Sequence, residues 1–178
     1  MTGLRIVAGE LGGRRLKVPA GATRPTADRV REAVFSILGD LSGLRVLDLF
    51  AGSGALGIEA VSRGAAQAVF VDRARPAVMT LRENLTTLGV EAAVHNDEAL
   101  AWLARGASGE PFGLVFCDPP YDLAQEMGPA LASALPPILS PNARIVTESH
   151  KRTPLELPFA LLRERTYGDT RIAVHRGR

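Results

Sequence analysis

The stretch VLDLFAGSGALG, residues 46–57, decides the fold. Its first five residues form a short apolar run, which predicts a buried strand. The rest predicts a tight loop that opens a helix, because it has glycines in G-x-G-x-x-G spacing at Gly52, Gly54 and Gly57. Such glycines let a ligand approach bare backbone at a helix N-terminus. The stretch therefore predicts an α/β fold with a ligand site at this loop, although the loop alone does not distinguish one cofactor from another.

Short apolar runs alternate with helical patterns from this loop onward. Further strands are predicted at residues 68–72, 92–95, 114–118 and 143–148, and helices at about 54–63, 76–88 and 127–135, with a short helix after the third strand. The alternation is typical of parallel strands, and strands that are apolar throughout are covered on both faces. Residues 161–167 and 170–176 differ, because the two-residue link Gly168–Asp169 can join only antiparallel neighbours. The predicted fold class is α/β, with a mostly parallel, doubly wound sheet and a C-terminal antiparallel hairpin.

The N-terminal part lacks the strand–helix alternation of the rest of the chain and carries a strong positive charge. Residues 4–19 predict a small β-hairpin around Gly12–Gly13, and the apolar spacing after Thr26 predicts a helix that ends at Gly39. We therefore divide the chain into a basic extension, residues 1–40, and a main domain, residues 41–178. Residues 1–31 hold seven basic residues against two acidic ones, a pattern that fits either a polyanionic partner such as a nucleic acid or a merely solvated basic face. The candidate phosphate-binding residues are Arg14, Arg15, Lys17, Arg24, Arg29 and Arg31.

Composition excludes several other classes of protein. The 178 residues are 46% hydrophobic, which is typical of a globular chain, and no apolar run approaches the roughly 18 residues of a membrane span. We expect a cytoplasmic protein. Cys117 is the only cysteine, so an internal disulfide is impossible, and the three histidines lack metal-ligand spacing. No metal site is expected.

Four of the eight aspartates stand at or just past the ends of successive predicted strands: Asp48, Asp72, Asp97 and Asp118. Ligands of open α/β sheets bind at the edge formed by the carboxyl ends of the strands. The four acids together therefore predict a small ligand with several hydrogen-bond donors. Acids also cap helices, and for Asp97 capping alone is a sufficient explanation.

The segment CDPPY, residues 117–121, is the most specific signal in the chain. Two prolines fix the backbone and remove two N–H donors, so the segment is stiff. The Asp118 carboxylate and the Pro119 carbonyl then form a pair that only accepts, which suits an exocyclic amino group. Tyr121 offers a ring on which a base can stack. Cys117 alternates away from Asp118 into the apolar strand, so we interpret it as a buried, inert thiol.

These motifs occur in an order that resembles one known family. RIVAGELGGRRLKVP, RPTADRVREAVFSIL, VLDLFAGSGALGIEAVSRGA, CDPPY and YGDT are similar to the corresponding blocks of the RsmD-type 16S ribosomal RNA (guanine-N2)-methyltransferases. The resemblance implies the Rossmann-like fold of class I methyltransferases. It also implies methyl transfer from S-adenosylmethionine to a guanine N2 in 16S rRNA, with S-adenosylhomocysteine as product and no metal. The implied substrate is 16S rRNA in the assembled or assembling 30S subunit, and we expect a monomer.

The resemblance also implies roles for individual residues. Asp48 and the loop residues Ala51, Gly52 and Gly54 would hold the methionine end of the cofactor. Asp72, where glutamate is common in the family, would hold the ribose, and Asp97 the adenine amino group. The residues that would hold the target base are Asp118, Pro119 and Tyr121, with Pro120 also in contact with the RNA.

Without the resemblance, the residues leave other functions open. An adenine-N6 or cytosine-N4 methyltransferase would use the same amine chemistry. A small NAD(P)-dependent reductase would fit the glycine loop and Asp72, but the chain offers neither a second domain nor a Tyr-x-x-x-Lys pair. An RNA-binding module with a vestigial pocket would fit the basic N-terminus.

Overall fold

A computed structural model describes residues 4–19, 28–120 and 122–177 of the chain. Within these ranges the strands are β1 (Leu4–Arg5), β2 (Arg15–Leu16), β3 (Arg45–Leu49), β4 (Gln67–Asp72), β5 (Ala93–Asn96), β6 (Phe112–Cys117), β7 (Leu139–His150), β8 (Ala160–Tyr167) and β9 (Thr170–Arg176). The helices are α1 (Asp28–Leu38), α2 (Ala55–Ser62), α3 (Arg75–Leu88), α4 (Ala99–Ala104) and α5 (Ala124–Ala134), with a 3-10 turn at Pro136–Ile138. Each strand and helix predicted for the main domain is present. None of the described helices is long and apolar enough to cross a membrane.

The main sheet has seven strands in the order β5-β4-β3-β6-β7-β9-β8. The strands from β5 to β7 are parallel, whereas β9 runs antiparallel to β7 and β8 antiparallel to β9. The antiparallel pairing of β8 with β9 follows from the two-residue link between them, in which Gly168 has a left-handed backbone with φ of 62°. The structure thus confirms a mostly parallel sheet that ends in a C-terminal antiparallel hairpin.

Helices cover both faces of this sheet. Side chains that alternate along each strand enter two separate cores, one shared with α1, α2 and α3 and the other shared with α4 and α5. Phe116 lies in the first core, whereas Cys117 lies in the second, where burial raises the pKa of its thiol. The prediction of a buried Cys117 is therefore confirmed, as is the doubly wound arrangement.

The N-terminal extension packs into the first core rather than standing apart. Leu4 and Leu16 pair across the hairpin and are buried with α1 against the sheet. Its backbone is held by α2, because the Glu59 carboxylate accepts hydrogen bonds from the Val7 and Ala8 amides at 2.7 and 3.0 Å. The segment between β1 and β2 is longer than the two-residue turn expected at Gly12–Gly13. It is closed by the Gly13 amide, which donates to the Ile6 carbonyl at 2.8 Å.

Candidate active site

The glycine loop leaves β3 with an unusual backbone. Phe50, Gly52 and Gly54 all have left-handed conformations, with φ of 64°, 55° and 83°. For a phenylalanine this conformation is strained by about 1–3 kcal/mol, and such strain is concentrated at functional sites. A Cβ added to Gly52 would meet no atom within 4 Å, so space for a ligand lies beside this backbone. Sequence reasoning identified the glycines but missed Phe50.

The end of β4 holds the loop in place. The Asp72 carboxylate accepts hydrogen bonds from the Gly52 amide and the Ala74 amide, both at 2.8 Å. The Ala51 amide donates to the Val71 carbonyl at 3.0 Å. Asp72 therefore lies at the predicted position beside the loop, and its carboxylate joins the loop to the start of α3.

Asn84 ties the same loop to the N-terminal hairpin. This buried side chain on α3 donates to the Ser53 and Lys17 carbonyls, each at 3.0 Å, and accepts from the Lys17 amide at 2.9 Å. Sequence reasoning missed Asn84. The available signal was a polar residue on the apolar face of α3, between Leu81 and Leu85. Three hydrogen bonds from one side chain therefore connect the hairpin to the loop.

Asp48 and Asp118 lie at the centre of the sheet edge. Asp48 is 2% exposed and accepts a hydrogen bond from the Gly57 amide at 2.9 Å, and burial raises the pKa of its carboxyl to about 8. Leu49 on β3 pairs with Cys117 on β6, so Asp118 follows directly beside the start of the glycine loop. The pKa of Asp118 is also raised, first by burial and then by the neighbouring charges of Glu148 and Asp48.

Glu148 is an acid that sequence reasoning did not single out. Cys117 pairs with Thr147, so Glu148 lies beside Asp118 on the next strand, and it is 6% exposed. Its position at the end of a predicted strand was the same signal that identified the four aspartates. The charge of Glu148 raises the pKa of Asp118 more than that of Asp48 does. Three carboxyl groups from three adjacent strands therefore meet at this edge.

Asp97 lies farther out on the same edge, after β5. Its amide donates to the Asp72 carbonyl at 3.0 Å, and its carboxylate forms an ion pair with Arg105. The alternative interpretation of Asp97 as a helix cap is wrong, because the cap of α4 is Glu98, whose carboxylate accepts from the Ala101 amide at 2.9 Å. The Asp97 carboxylate lies one residue before the cap, where it accepts a hydrogen bond from the Glu98 amide at 2.9 Å.

The proline pair continues from β6 into a turn. Pro119 is buried and Pro120 is exposed, with the Pro120 carbonyl accepting from the Leu123 amide at 2.9 Å. Tyr121, predicted to stack on the base, lies outside the described residues.

The predicted phosphate-binding residues fall into different environments. Arg14, Arg15 and Arg29 are exposed, and Lys17 is exposed but paired with Glu83 at 3.0 Å. Arg24 lies outside the described residues, as does Thr26, after which the helix was predicted.

Arg31 does not fit the predicted phosphate contact, because its side chain is fully buried. It donates to the Arg5 carbonyl and, at 2.8 Å, to the Asp28 carboxylate, and burial lowers its pKa. Its role in this structure is to join the hairpin to α1.

Comparison with known proteins gives matches that agree with one another, some of them over nearly the whole chain. The family described as Conserved hypothetical protein 95 matches residues 4–176. A "Putative rRNA methyltransferase YlbH" of Bacillus subtilis (strain 168) is 40% identical over 187 residues, which cover 98% of this chain and 100% of that protein. "Ribosomal RNA small subunit methyltransferase D" of Escherichia coli (strain K12) is 45% identical over 121 residues, 66% of this chain and 60% of that protein. Among solved structures, "Putative methyltransferase yhhF from Escherichia coli" is 37% identical with a TM-score of 0.83 and covers 97% of each chain.

Proposed function

Because the chain belongs to the family described as Conserved hypothetical protein 95, the family of the RsmD-type methyltransferases, we propose that it methylates the N2 atom of a guanine in 16S ribosomal RNA. Family membership establishes a methyltransferase with the class I, Rossmann-like fold. The cofactor in this proposal is S-adenosylmethionine. We further propose that the enzyme works as a cytoplasmic monomer on the assembled or assembling 30S subunit, with residues 1–40 as an RNA-contacting extension.

One observation supports the proposal most directly. The register between Leu49 and Cys117 sets Asp118 beside the strained loop that begins at Phe50. A cofactor in the loop and a base held by Asp118 would therefore be neighbours, as methyl transfer requires.

The residues around the loop fit S-adenosylmethionine. The open space at Gly52 admits a ligand to the backbone, and acids surround it to receive an amine, two ribose hydroxyls and an adenine amino group: Asp48, Asp72 and Asp97. When bound, this cofactor supplies an electrophilic methyl group on a sulfonium. Positive charge near Asp48 and Asp118 favours their ionised forms, which offsets the burial that raises their pKa values in the free protein.

The acids at the centre of the edge also support guanine as the base. Guanine presents N1–H next to its N2 amine, whereas adenine and cytosine present a bare ring nitrogen beside theirs. Ionised Asp118 and Glu148 on adjacent strands would accept hydrogen bonds from N2–H and N1–H, but would repel a bare ring nitrogen.

Asp118 and the Pro119 carbonyl would also activate the amine. The lone pair of guanine N2 is shared with the ring, so this nitrogen is a poor nucleophile. Hydrogen bonds from both of its hydrogens favour a pyramidal amine and stabilise the positive charge that develops as the N–C bond forms and the S–C bond breaks. Positioning of the two substrates could contribute about 7–11 kcal/mol of barrier lowering. The nitrogen then passes one proton to the Asp118 carboxylate that accepts its hydrogen bond, and the products are N2-methylguanine and a thioether.

The test is transfer of labelled methyl from S-adenosylmethionine to unmethylated 30S subunits, to RNA extracted from them and to DNA. We expect label in the RNA-containing substrates, recovered as N2-methylguanosine after digestion, and about 10²–10³-fold slower labelling with Asp118→Ala. Label on adenine or cytosine, or in DNA, would contradict the proposal. Thermal shift separates the remaining alternatives, because S-adenosylhomocysteine should stabilise the protein and NAD should not.

A further inference from the structure

A basic groove lies between α1 and the edge strand β8, outside the site described above. Its volume is about 400 Å³, and its lining includes Ile37 from α1, Val174 from β9 and three arginines, Arg144, Arg163 and Arg165. Among the described residues that line it there is no aspartate or glutamate. The groove is therefore a concentrated positive surface.

Strand register places this groove on the same face of the sheet as the central acids. Val174, a residue of the first core, pairs with both Val146 on β7 and Arg163 on β8. Ile172, in the same core, pairs with both Glu148 and Arg165. Residues that pair directly point to one face, so Arg163 and Arg165 face the side of α1.

The groove is also close to the proposed base site. Glu148, Ile172 and Arg165 form one row across β7, β9 and β8. Two strand spacings separate the ends of this row, which is about 10 Å at roughly 4.8 Å per spacing. A base held at the acids would therefore have the phosphates of its neighbouring nucleotides within reach of the groove.

The groove arginines differ in the number of hydrogen bonds that their guanidinium groups make within the protein. Arg144 is held by the Leu38 and Asp40 carbonyls, whereas Arg165 has one hydrogen bond to the adjacent Glu164 carbonyl at 2.9 Å. Within the part of the chain that the structure describes, the side chain of Arg163 makes no hydrogen bond or ion pair. These cations retain hydrogen-bond donors for a ligand.

The acid on β8 does not neutralise this surface. Glu164 pairs with Ala173, so it points to the opposite face of the sheet, where its carboxylate binds Arg171 at 2.7 Å. The positive charge of the groove therefore remains directed toward solvent.

The form of β8 favours a nucleic acid over a peptide strand. Every residue from Ala160 to Thr166 is exposed, and the register shifts between Leu161 and Arg163. A shift of this kind bends an edge strand and discourages the addition of another strand. Arginine, by contrast, makes forked hydrogen bonds to phosphate oxygens.

We propose that this groove, with Arg163 and Arg165 as its phosphate-binding residues, holds the RNA backbone that flanks the methylated nucleotide. The inference rests on the proposed function, since it takes RNA as the substrate. It adds a second RNA contact, on the opposite side of the acids from the glycine loop, to the one predicted for the N-terminal arginines.

The experiment measures binding of extracted small-subunit RNA at several salt concentrations for the wild type and the double variant Arg163→Ala/Arg165→Ala. We expect the slope of log affinity against log salt to fall by about 1.4–1.8, since each lost contact contributes about 0.7–0.9. The Arg163→Lys/Arg165→Lys variant should keep the slope. Arg82→Ala, which removes an exposed arginine from α3, should not change it. Thermal stabilisation by S-adenosylhomocysteine should be the same in all variants.

An unchanged slope in the double alanine variant would overturn the groove assignment. The groove would also be wrongly assigned if this variant bound extracted RNA normally but lost binding to whole subunits, because the occupant would then be a ribosomal protein. Failure of the proposed function looks different: the slope would fall as expected, but no methyl would be transferred to RNA by the wild type.

Discussion

The two pairs of aspartates at the sheet edge have the same sequence pattern but different environments. Asp48 and Asp118 end central strands, and desolvation raises the pKa of both, although Asp48 is buried and Asp118 is partly exposed. Asp72 and Asp97 end outer strands, are partly exposed, and have carboxylates already engaged by backbone amides or by Arg105. The environment of each carboxyl, rather than its residue type, therefore separates the two central acids from the two outer ones. In the proposed function, Asp118 acts on the target amine, Asp48 holds the amine of the cofactor, and the outer acids hold its ribose and adenine.

The strongest test of this distinction is the replacement of Asp118. Asp118→Ala should lower the rate of methyl transfer about 10²–10³-fold, because it removes one of the two acceptors for the target amine. Affinity for S-adenosylhomocysteine should change little. Asp118→Asn retains one accepting oxygen and should recover part of the rate. Single-turnover transfer and calorimetry measure the two effects, and equal losses in rate and cofactor affinity would place Asp118 with the cofactor-holding acids instead.

Asp48 predicts a pH dependence of stability in the protein without cofactor. Its pKa is raised from 3.8 to about 8, so between these values the folded state keeps a proton that the unfolded state releases. Stability should therefore fall as pH rises through this window, by up to about 1.4 kcal/mol per pH unit. Asp48→Asn removes this titration. In urea unfolding it should behave like the wild type near pH 4 and be more stable at pH 8; a variant less stable at pH 8 would show that Asp48 is ionised and stabilised there.

Replacement of Asp72, unlike that of Asp118, should affect cofactor binding more than the rate of methyl transfer. Asp72→Ala releases the Gly52 and Ala74 amides and removes the predicted ribose acceptor, so cofactor affinity should fall about 10- to 100-fold. The rate at saturating cofactor should stay within a few-fold of the wild type. Asp72→Glu, the residue common in the family, is the matched control and should retain most of the affinity. A fall in rate without a fall in affinity would break the division between the two pairs.

The smallest effect is expected at the partner of Asp97. The pair with Arg105 is partly solvated, with side chains 27% and 58% exposed, and such pairs contribute about 0.2–1 kcal/mol. Arg105→Ala should therefore change the free energy of unfolding by no more than this, as measured by urea titration. A loss above about 2 kcal/mol would mean that the outer acids are as tightly coupled to the fold as the central ones.

Several features of the site depend on contacts that local patterns do not encode. Asn84 and Lys17 are 67 residues apart in the chain, and Glu59 and Val7 are 52 apart, yet these contacts dock the N-terminal hairpin against the glycine loop and α2. Arg31 is a case in which a local pattern predicted a contact that the packing of the chain prevents. Its place in a basic segment predicted a phosphate contact, but α1 packs so that its guanidinium is enclosed.

The sequence by itself determined the alternation of strands and helices, the antiparallel ending and the four acids at one edge. These follow from the spacing of apolar residues and from a two-residue link, which are local properties of the chain. Only the tertiary structure decided which of those acids are desolvated, that Glu148 lies beside Asp118, and that Arg163 and Arg165 share a face with them. Burial and cross-strand neighbours are set by segments distant in sequence, so they exist only once the sheet is assembled.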